Sequence, residues 1–250
     1  MKPPEHIAPA QGKLAVFLPG LGAVATTFIA GCLLAQKNEA KPIGSLTQMG
    51  AIRIGDRAER HEPKIFDFVP LAAFHDLEFC AWDIFADNAY EVAVKAGVLE
   101  SHHLAALKDE LERIVPKPAV FYPEYVKRIS GTHVKKAATK ADMVDALRGD
   151  IRSFMDSRGC LRAVAVWCGS TEIYLEAGAV HQSIEAFEAG LRENDPSISN
   201  SQIYAWACLK EGVPFANGAP TCALTFPPRT TWRMPREHLS AARISRRDRP

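Results

Sequence analysis

An α/β fold, a parallel sheet with flanking helices, is predicted by three features of this 250-residue chain. Short apolar runs at Lys13–Pro19, Asp76–Trp82 and Leu161–Trp167 read as buried strands, because strands covered on both faces lack polar alternation. Segments of helical length separate those runs. Composition completes the case: 47% hydrophobic and 24% charged residues suit a chain of this length that buries a sizeable core without disulfides or metals.

Taken in order, Lys13–Pro19 (KLAVFLP) ends at a Gly-x-Gly, and Ala23–Gln36 follows as a mostly apolar helix. Its Thr26 and Thr27 are poor helix formers. Residues 38–73, carrying the basic stretch IRIGDRAERHEPK, read as loops with short strands. After the second strand, Asn88–Ala96 reads as a helix ended by Gly97, and His103–Val115 as an amphipathic helix stopped by Pro116. Thr139–Ser157 carries the fullest helix signature. Thr139 with Asp142 makes a capping-box pattern, Met143, Leu147, Ile151 and Phe154 share one face, and Gly159 ends it. Beyond the third strand come helices over 180–193 and 200–211, the second introduced by Ser199 and closed by Gly212. Strands alternating with helices imply right-handed parallel connections.

Charge narrows the function classes. Thirty Lys+Arg stand against 29 Asp+Glu, so no global field favours nucleic acid or an anionic membrane. The longest apolar run, Ala23–Ala35, is interrupted by Thr26, Thr27 and Gly31 and is too short to span a bilayer. The start, MKPPEHIAPAQGK, lacks the apolar core of a secretory signal, so a cytoplasmic location is expected. Cysteines at 32, 80, 160, 168, 208 and 222 show no CxxC or Cys/His zinc spacing; they read as small core residues, and no metal is expected. The balance shifts at the end. Residues 1–220 carry 23 Lys+Arg and 27 Asp+Glu, whereas 221–250 carry seven arginines, no lysine and two acids. The expected division is an extension (1–12), one α/β domain (13–220) and an irregular Arg/Pro-rich tail (221–250). A basic tail alone supplies only salt-sensitive, sequence-blind affinity for nucleic acid.

Gly20-Leu21-Gly22-Ala23-Val24-Ala25 fits G-x-G-x-x-A at a strand-to-helix turn. Gly20 suits the tight turn, Gly22 lets a diphosphate approach the backbone, and a small Ala25 lets helix and strand pack. The helix N-terminus adds free N–H groups and positive potential. A carboxylate about twenty positions on should hold the adenine ribose, yet residues 40–52 contain no acid. Asp83, at the exit of the second strand, is the substitute, with a turn or cap role as the structural alternative.

Four separated stretches carry a wider resemblance: GLGAVATTFIAG (20–31), AWDIFADNAYEVAVKAGVLE (81–100), AVWCGSTEIY (165–174) and SIEAFEAGLRENDPSISNSQIYAWACLKEGVPFANGAP (183–220). Together they resemble myo-inositol-phosphate synthase in its bacterial form, from about residue 13 to residue 220. The resemblance implies a Rossmann-like NAD-binding domain with a catalytic and tetramerisation domain inserted, homotetramers, and glucose 6-phosphate as substrate. It implies oxidation at C5 by NAD, enolisation, aldol ring closure and return of the hydride. Gly20, Leu21, Gly22, Ala23 and Val24 match the phosphate-binding loop, although many members have asparagines where Ala23 and Val24 stand. Asp83 and Asn88 match the nucleotide-side segment, and Cys168, Gly169, Ser170, Thr171 and Glu172 the strand-end loop against the cofactor. Ser199, Tyr204, Asn217 and Gly218 match the segment leading towards the substrate domain; an N-cap role for Ser199 and a core-edge role for Tyr204 stand beside that.

The resemblance ends after Ala219-Pro220. Family members continue with a lysine-bearing segment that stabilises enolate charge, whereas no lysine follows Lys210 in these 250 residues. Thr-Cys-Ala-Leu-Thr-Phe-Pro (221–227), read one nucleotide upstream, can be encoded by the same bases as Asn-Leu-Arg-Ala-Asp-Phe-Pro, which restores the Asn-Leu that the resemblance implies after Ala-Pro. An off-frame tail is therefore one expectation, and turnover by the chain is in doubt. Two alternatives remain open: an NAD-binding module without turnover, and a small NAD-dependent dehydrogenase drawing its acid/base from His75, His181 or the His102–His103 pair.

Overall fold

In the computed structural model, which describes residues 11–219, the strands are β1 (Lys13–Pro19), β2 (Leu77–Asp83), β3 (Lys117–Pro118), β4 (Cys160–Trp167) and β5 (Phe215–Asn217). They form one parallel sheet in the order β3-β2-β1-β4-β5. The helices are α1 (Ala23–Gln36), α2 (Leu46–Met49), α3 (Ala89–Ala96), α4 (Ser101–Ala106), α5 (Lys108–Glu112), α6 (Lys140–Arg158), α7 (Ile184–Arg192) and α8 (Asn200–Lys210). Residues 1–10 of the expected extension and the whole 221–250 tail lie outside the described residues.

β1 is central because its side chains serve two cores at once. Ala15 and Phe17 join the cluster built with α6, α7 and α8, while Val16 and Leu18 join the one built with α1, α3 and α5. A strand buried on both faces reads as continuously apolar, which is how KLAVFLP reads. α1 spans the expected residues, and Thr26 is tolerated inside it because its hydroxyl donates back to the Gly22 carbonyl at 3.0 Å. α3 begins on an Asn88 cap and ends at Gly97 in the left-handed region, as expected. α6 carries the expected capping box, with Asp142 N–H donating to Thr139 Oγ1 and Thr139 N–H to the Asp142 carboxylate.

Two expectations need correction. Residues 38–73 hold α2, 3-10 turns and a single isolated antiparallel bridge, Ala51 with Lys64, rather than short strands. Ile52 N–H donates to the Pro63 carbonyl, but Pro63 has no N–H to return, so the ladder does not extend. The helix expected over His103–Val115 is broken at Leu107, which leaves the helical region (φ −116°, ψ 8°). Leu107 and Leu111 are both fully buried, and Lys37 Nζ caps the Ala106 carbonyl at 2.7 Å. A cap delivered from α1 is invisible to periodicity. Sequence patterning also misses β3 and β5, two and three residues long, too short to show a period.

Candidate functional site

The chain runs outward from β1 to β2 and β3, then crosses back to place β4 and β5 on the other side of β1. At such a reversal the loops leaving adjacent strands diverge, and a crevice opens beyond their carboxyl ends. Here a crevice is lined by Gly20 after β1, Asp83 at the end of β2, Gly169 and Ser170 after β4, and Asn200 and Tyr204 of α8, among others.

The two glycine loops touch. Gly20 has φ +93°, and a Cβ built there would stand 2.5 Å from the Cα and N of Gly169. Gly20 N–H donates to the Trp82 carbonyl at 2.8 Å and Cys168 N–H to the Pro19 carbonyl at 2.9 Å, extending the sheet into both loops. Gly22 differs. It is extended, at φ −98°, and a Cβ there would meet nothing within 4 Å. Above it α1 begins without a side-chain cap and without an acid in its first turn. Ala23 and Val24 are exposed there, and Ala25 is fully buried against the sheet.

Asp83 organises the turn. Leu21 N–H donates to Asp83 Oδ2 at 2.6 Å, and Phe85 N–H donates to Oδ1 at 3.0 Å. An ionised carboxylate offers about four lone-pair positions, so acceptor capacity is left for a ligand. Asp83, the expected substitute for the acid the glycine fingerprint lacks, ends the strand beside β1, and residues 37–76 intervene between α1 and β2. Asn88 caps α3, its Oδ1 accepting from Glu91 N–H at 3.0 Å, and it does not line the crevice. Gly169 and Ser170 line the crevice, whereas Thr171 is exposed beyond its rim.

The segment before β5 supplies the floor. Tyr204 is buried between Trp82 and Trp167, with ring centroids 5.6 Å from each, and its Oη accepts from Val120 N–H at 2.8 Å. Burial pushes its phenol well above the usual range. Asn200 holds both the N–H and the carbonyl of Tyr122. Ser199 is the N-cap of α8 in a capping box with Gln202. Gly218 N–H meets the Trp167 carbonyl at 3.2 Å, and Asn217 Oδ1 accepts from Ala219 N–H. Burial lifts the Cys168 thiol to about 11, so it stays protonated at neutral pH. His75, His181, His102 and His103 all fail to line the crevice, and His181 is buried against Gln202 and Gly178. None of the four histidines offered for the dehydrogenase alternative therefore lines the crevice. Sequence reasoning missed Asn200; its signal was a run of polar residues, Ser199–Gln202, opening an otherwise apolar helix.

The residues fit a dinucleotide on two further counts. Trp167 Nε1 is a buried donor with no hydrogen-bond partner among the described residues, and its side chain lines the crevice; such orphans are rare unless a ligand or water serves them. Asp83 is the single charged residue in the lining. Among the described residues no helix is long and apolar enough to cross a membrane, and no three His, Cys, Asp or Glu side chains are grouped to hold a metal.

Fold and crevice together define a dinucleotide-binding α/β domain. Comparison with known proteins makes this specific: residues 14–235 match the NAD-binding profile described as myo-inositol-1-phosphate synthase, and the chain belongs to that family. The match runs past Pro220. The chain is 46% identical over 226 residues to inositol-3-phosphate synthase 1 of Bacteroides thetaiotaomicron, covering 89% of this chain and 52% of that one. With inositol-3-phosphate synthase 1 of rice it shares 31%, covering 83% and 44%. The crystal structure of inositol-3-phosphate synthase from Caenorhabditis elegans superposes with a TM-score of 0.76 at 27% identity, over 85% of this chain and 45% of that one. The chain thus spans about half the length of the curated relatives it matches.

Proposed function

We propose that this chain is the NAD-holding part of an inositol-3-phosphate synthase, a cytoplasmic enzyme that cyclises glucose 6-phosphate to myo-inositol phosphate. One observation carries the reading: Gly20 and Gly169 close the switch point, while Gly22 leaves open space in front of an uncapped helix N-terminus. That combination suits a diphosphate received by main-chain N–H groups.

In this reading the amides of Gly22, Ala23 and Val24 meet the diphosphate. Leu21, whose own N–H is given to Asp83, shapes the turn. Asp83 accepts from the adenine-side ribose. Gly169, Ser170 and Thr171 flank the nicotinamide side, and Asn88 supports the Asp83 loop by starting α3. When bound, NAD supplies a hydride acceptor that later returns the hydride. The remaining chemistry needs cationic groups beside a developing enolate. The residues lining the crevice include no lysine or arginine, so in this reading the lining does not itself supply those groups.

The 250-residue chain is therefore expected to bind NAD and to form no inositol phosphate from glucose 6-phosphate. Calorimetric titration with NAD, followed by chromatographic separation of inositol phosphate from glucose 6-phosphate, tests both halves. Turnover at an ordinary enzymic rate overturns the assignment of chemistry to other residues; absence of NAD binding overturns the reading itself.

A further inference from the structure

The loop after β4 ends in a residue that turns away from the crevice. Glu172 is 6% exposed, and its carboxylate sits in the first turn of α8. Oε1 accepts from Ser201 N–H at 3.0 Å, and Oε2 accepts from Ser199 Oγ at 2.9 Å and from Ser201 Oγ. An anion at a helix N-terminus is favoured by the helix dipole as well as by these donors. The same turn of α8 is braced from other directions. Gln202 Nε2 lies 2.9 Å from His181 Nε2, and Lys140 Nζ donates to the Ile198 carbonyl at 2.7 Å. At its other end the loop is fixed by Cys168 N–H on the Pro19 carbonyl. Gly169, Ser170 and Thr171 are suspended between these two anchors, and the Ser170 and Thr171 hydroxyls bond no described residue.

We propose that Glu172 is a positioning residue for the dinucleotide, acting through Gly169–Thr171: the carboxylate plugged into α8 sets the course of that loop along the crevice. This rests on the reading that NAD occupies the crevice. In a sheet of this order the β1–β2–β3 half takes the adenylate and the β4 side takes the nicotinamide nucleotide. Loss of the anchor should then weaken only the second half of the ligand.

The test compares NAD with AMP, titrated into the 250-residue chain and into Glu172→Ala, Glu172→Gln and Ser199→Ala/Ser201→Ala. Wild type binding both ligands sets the baseline; failure there overturns the occupancy reading and this proposal with it, whereas a failure confined to the variants' pattern overturns the proposal alone. Glu172→Ala is expected to weaken NAD about tenfold, the scale of a lost charged hydrogen bond, with AMP within about twofold. Glu172→Gln, which keeps an acceptor for Ser201 N–H, should recover most of the loss. If Glu172→Ala does not fold, the serine pair decides, since removing both hydroxyl donors should lower NAD but not AMP affinity. Equal losses for NAD and AMP, or no loss for either, would overturn the proposal.

Discussion

The two loops that meet at the switch point are shaped by opposite means. After β1 the chain has almost no side chain to work with: Gly20 takes a backbone conformation that other residues rarely adopt, Gly22 leaves its outer side open, and Asp83 holds the intervening N–H. After β4 the loop is held by a side chain, Glu172, inserted into a helix 27 to 29 residues further on. A loop defined by main-chain sterics can be read from its own residues. A loop defined by a distant polar socket cannot.

The contrast is broken most severely at Gly20. Gly20→Ala places a Cβ against the backbone of Gly169 at a positive φ, where neither loop can yield without opening the β1–β4 ladder. Destabilisation of about 3 kcal/mol or more is expected, measured by urea unfolding, together with loss of NAD binding. Near-wild-type stability would show that the two loops are not in contact.

Next comes Asp83→Ala, which strips the acceptor from Leu21 N–H and Phe85 N–H. NAD affinity should fall about a hundredfold, read by calorimetry, with Asp83→Asn falling less because it keeps one acceptor.

The socket side is sharpened by Lys140. Its ammonium donates to Tyr125 Oη, Asp195 O and Ile198 O, all at 2.7 Å, and Tyr125 O accepts from Ile173 N–H of the β4 loop. Burial lowers the lysine from 10.5 to about 8. Above that value the folded chain has lost a proton that the unfolded chain still holds, so stability rises with pH until the unfolded lysine titrates as well. Relative to Lys140→Met, the wild-type chain should gain about 3 kcal/mol between the two pKa values. In both proteins stability falls once unfolded tyrosines ionise, because Tyr125 and Tyr204 are raised by burial; the difference between the two isolates the lysine. Melting curves at a series of pH values check this; a parallel pH dependence for wild type and Lys140→Met would refute it.

Much of this architecture was legible in the residues. KLAVFLP, the Gly-x-Gly, the Thr139/Asp142 box and Gly159 are local signals, and local physics decides them. The four-stretch resemblance to the synthase family was legible for the same reason, each stretch sitting on a strand end or a helix that meets the crevice. The breaks came where distant groups decide: the helix is interrupted at Leu107, where Lys37 caps the Ala106 carbonyl, the Ala51–Lys64 bridge is cut short by Pro63, and the glycine turn takes its carboxylate contact from Asp83, with residues 37–76 in between. Glu172 was read as part of one loop with Gly169 and Ser170, which line the crevice; its inward turn depends on Ser199 and Ser201, which no local pattern connects to it.

The smallest effect is expected at the exposed start of α1. Ala23→Asn restores an amide that many family members carry there, and it should tighten NAD a few-fold, about one neutral hydrogen bond, without changing stability.

The central claim, that a diphosphate rests on bare main chain at Gly22, is tested most directly by Gly22→Ala. The added methyl faces open space at an ordinary φ, so the apo chain should unfold within about 0.5 kcal/mol of wild type. NAD titrated into the two proteins should then saturate wild type and bind the variant at least about tenfold more weakly, because the methyl occupies the approach of the ligand. Equal NAD affinity in both, with both folded, would contradict the account.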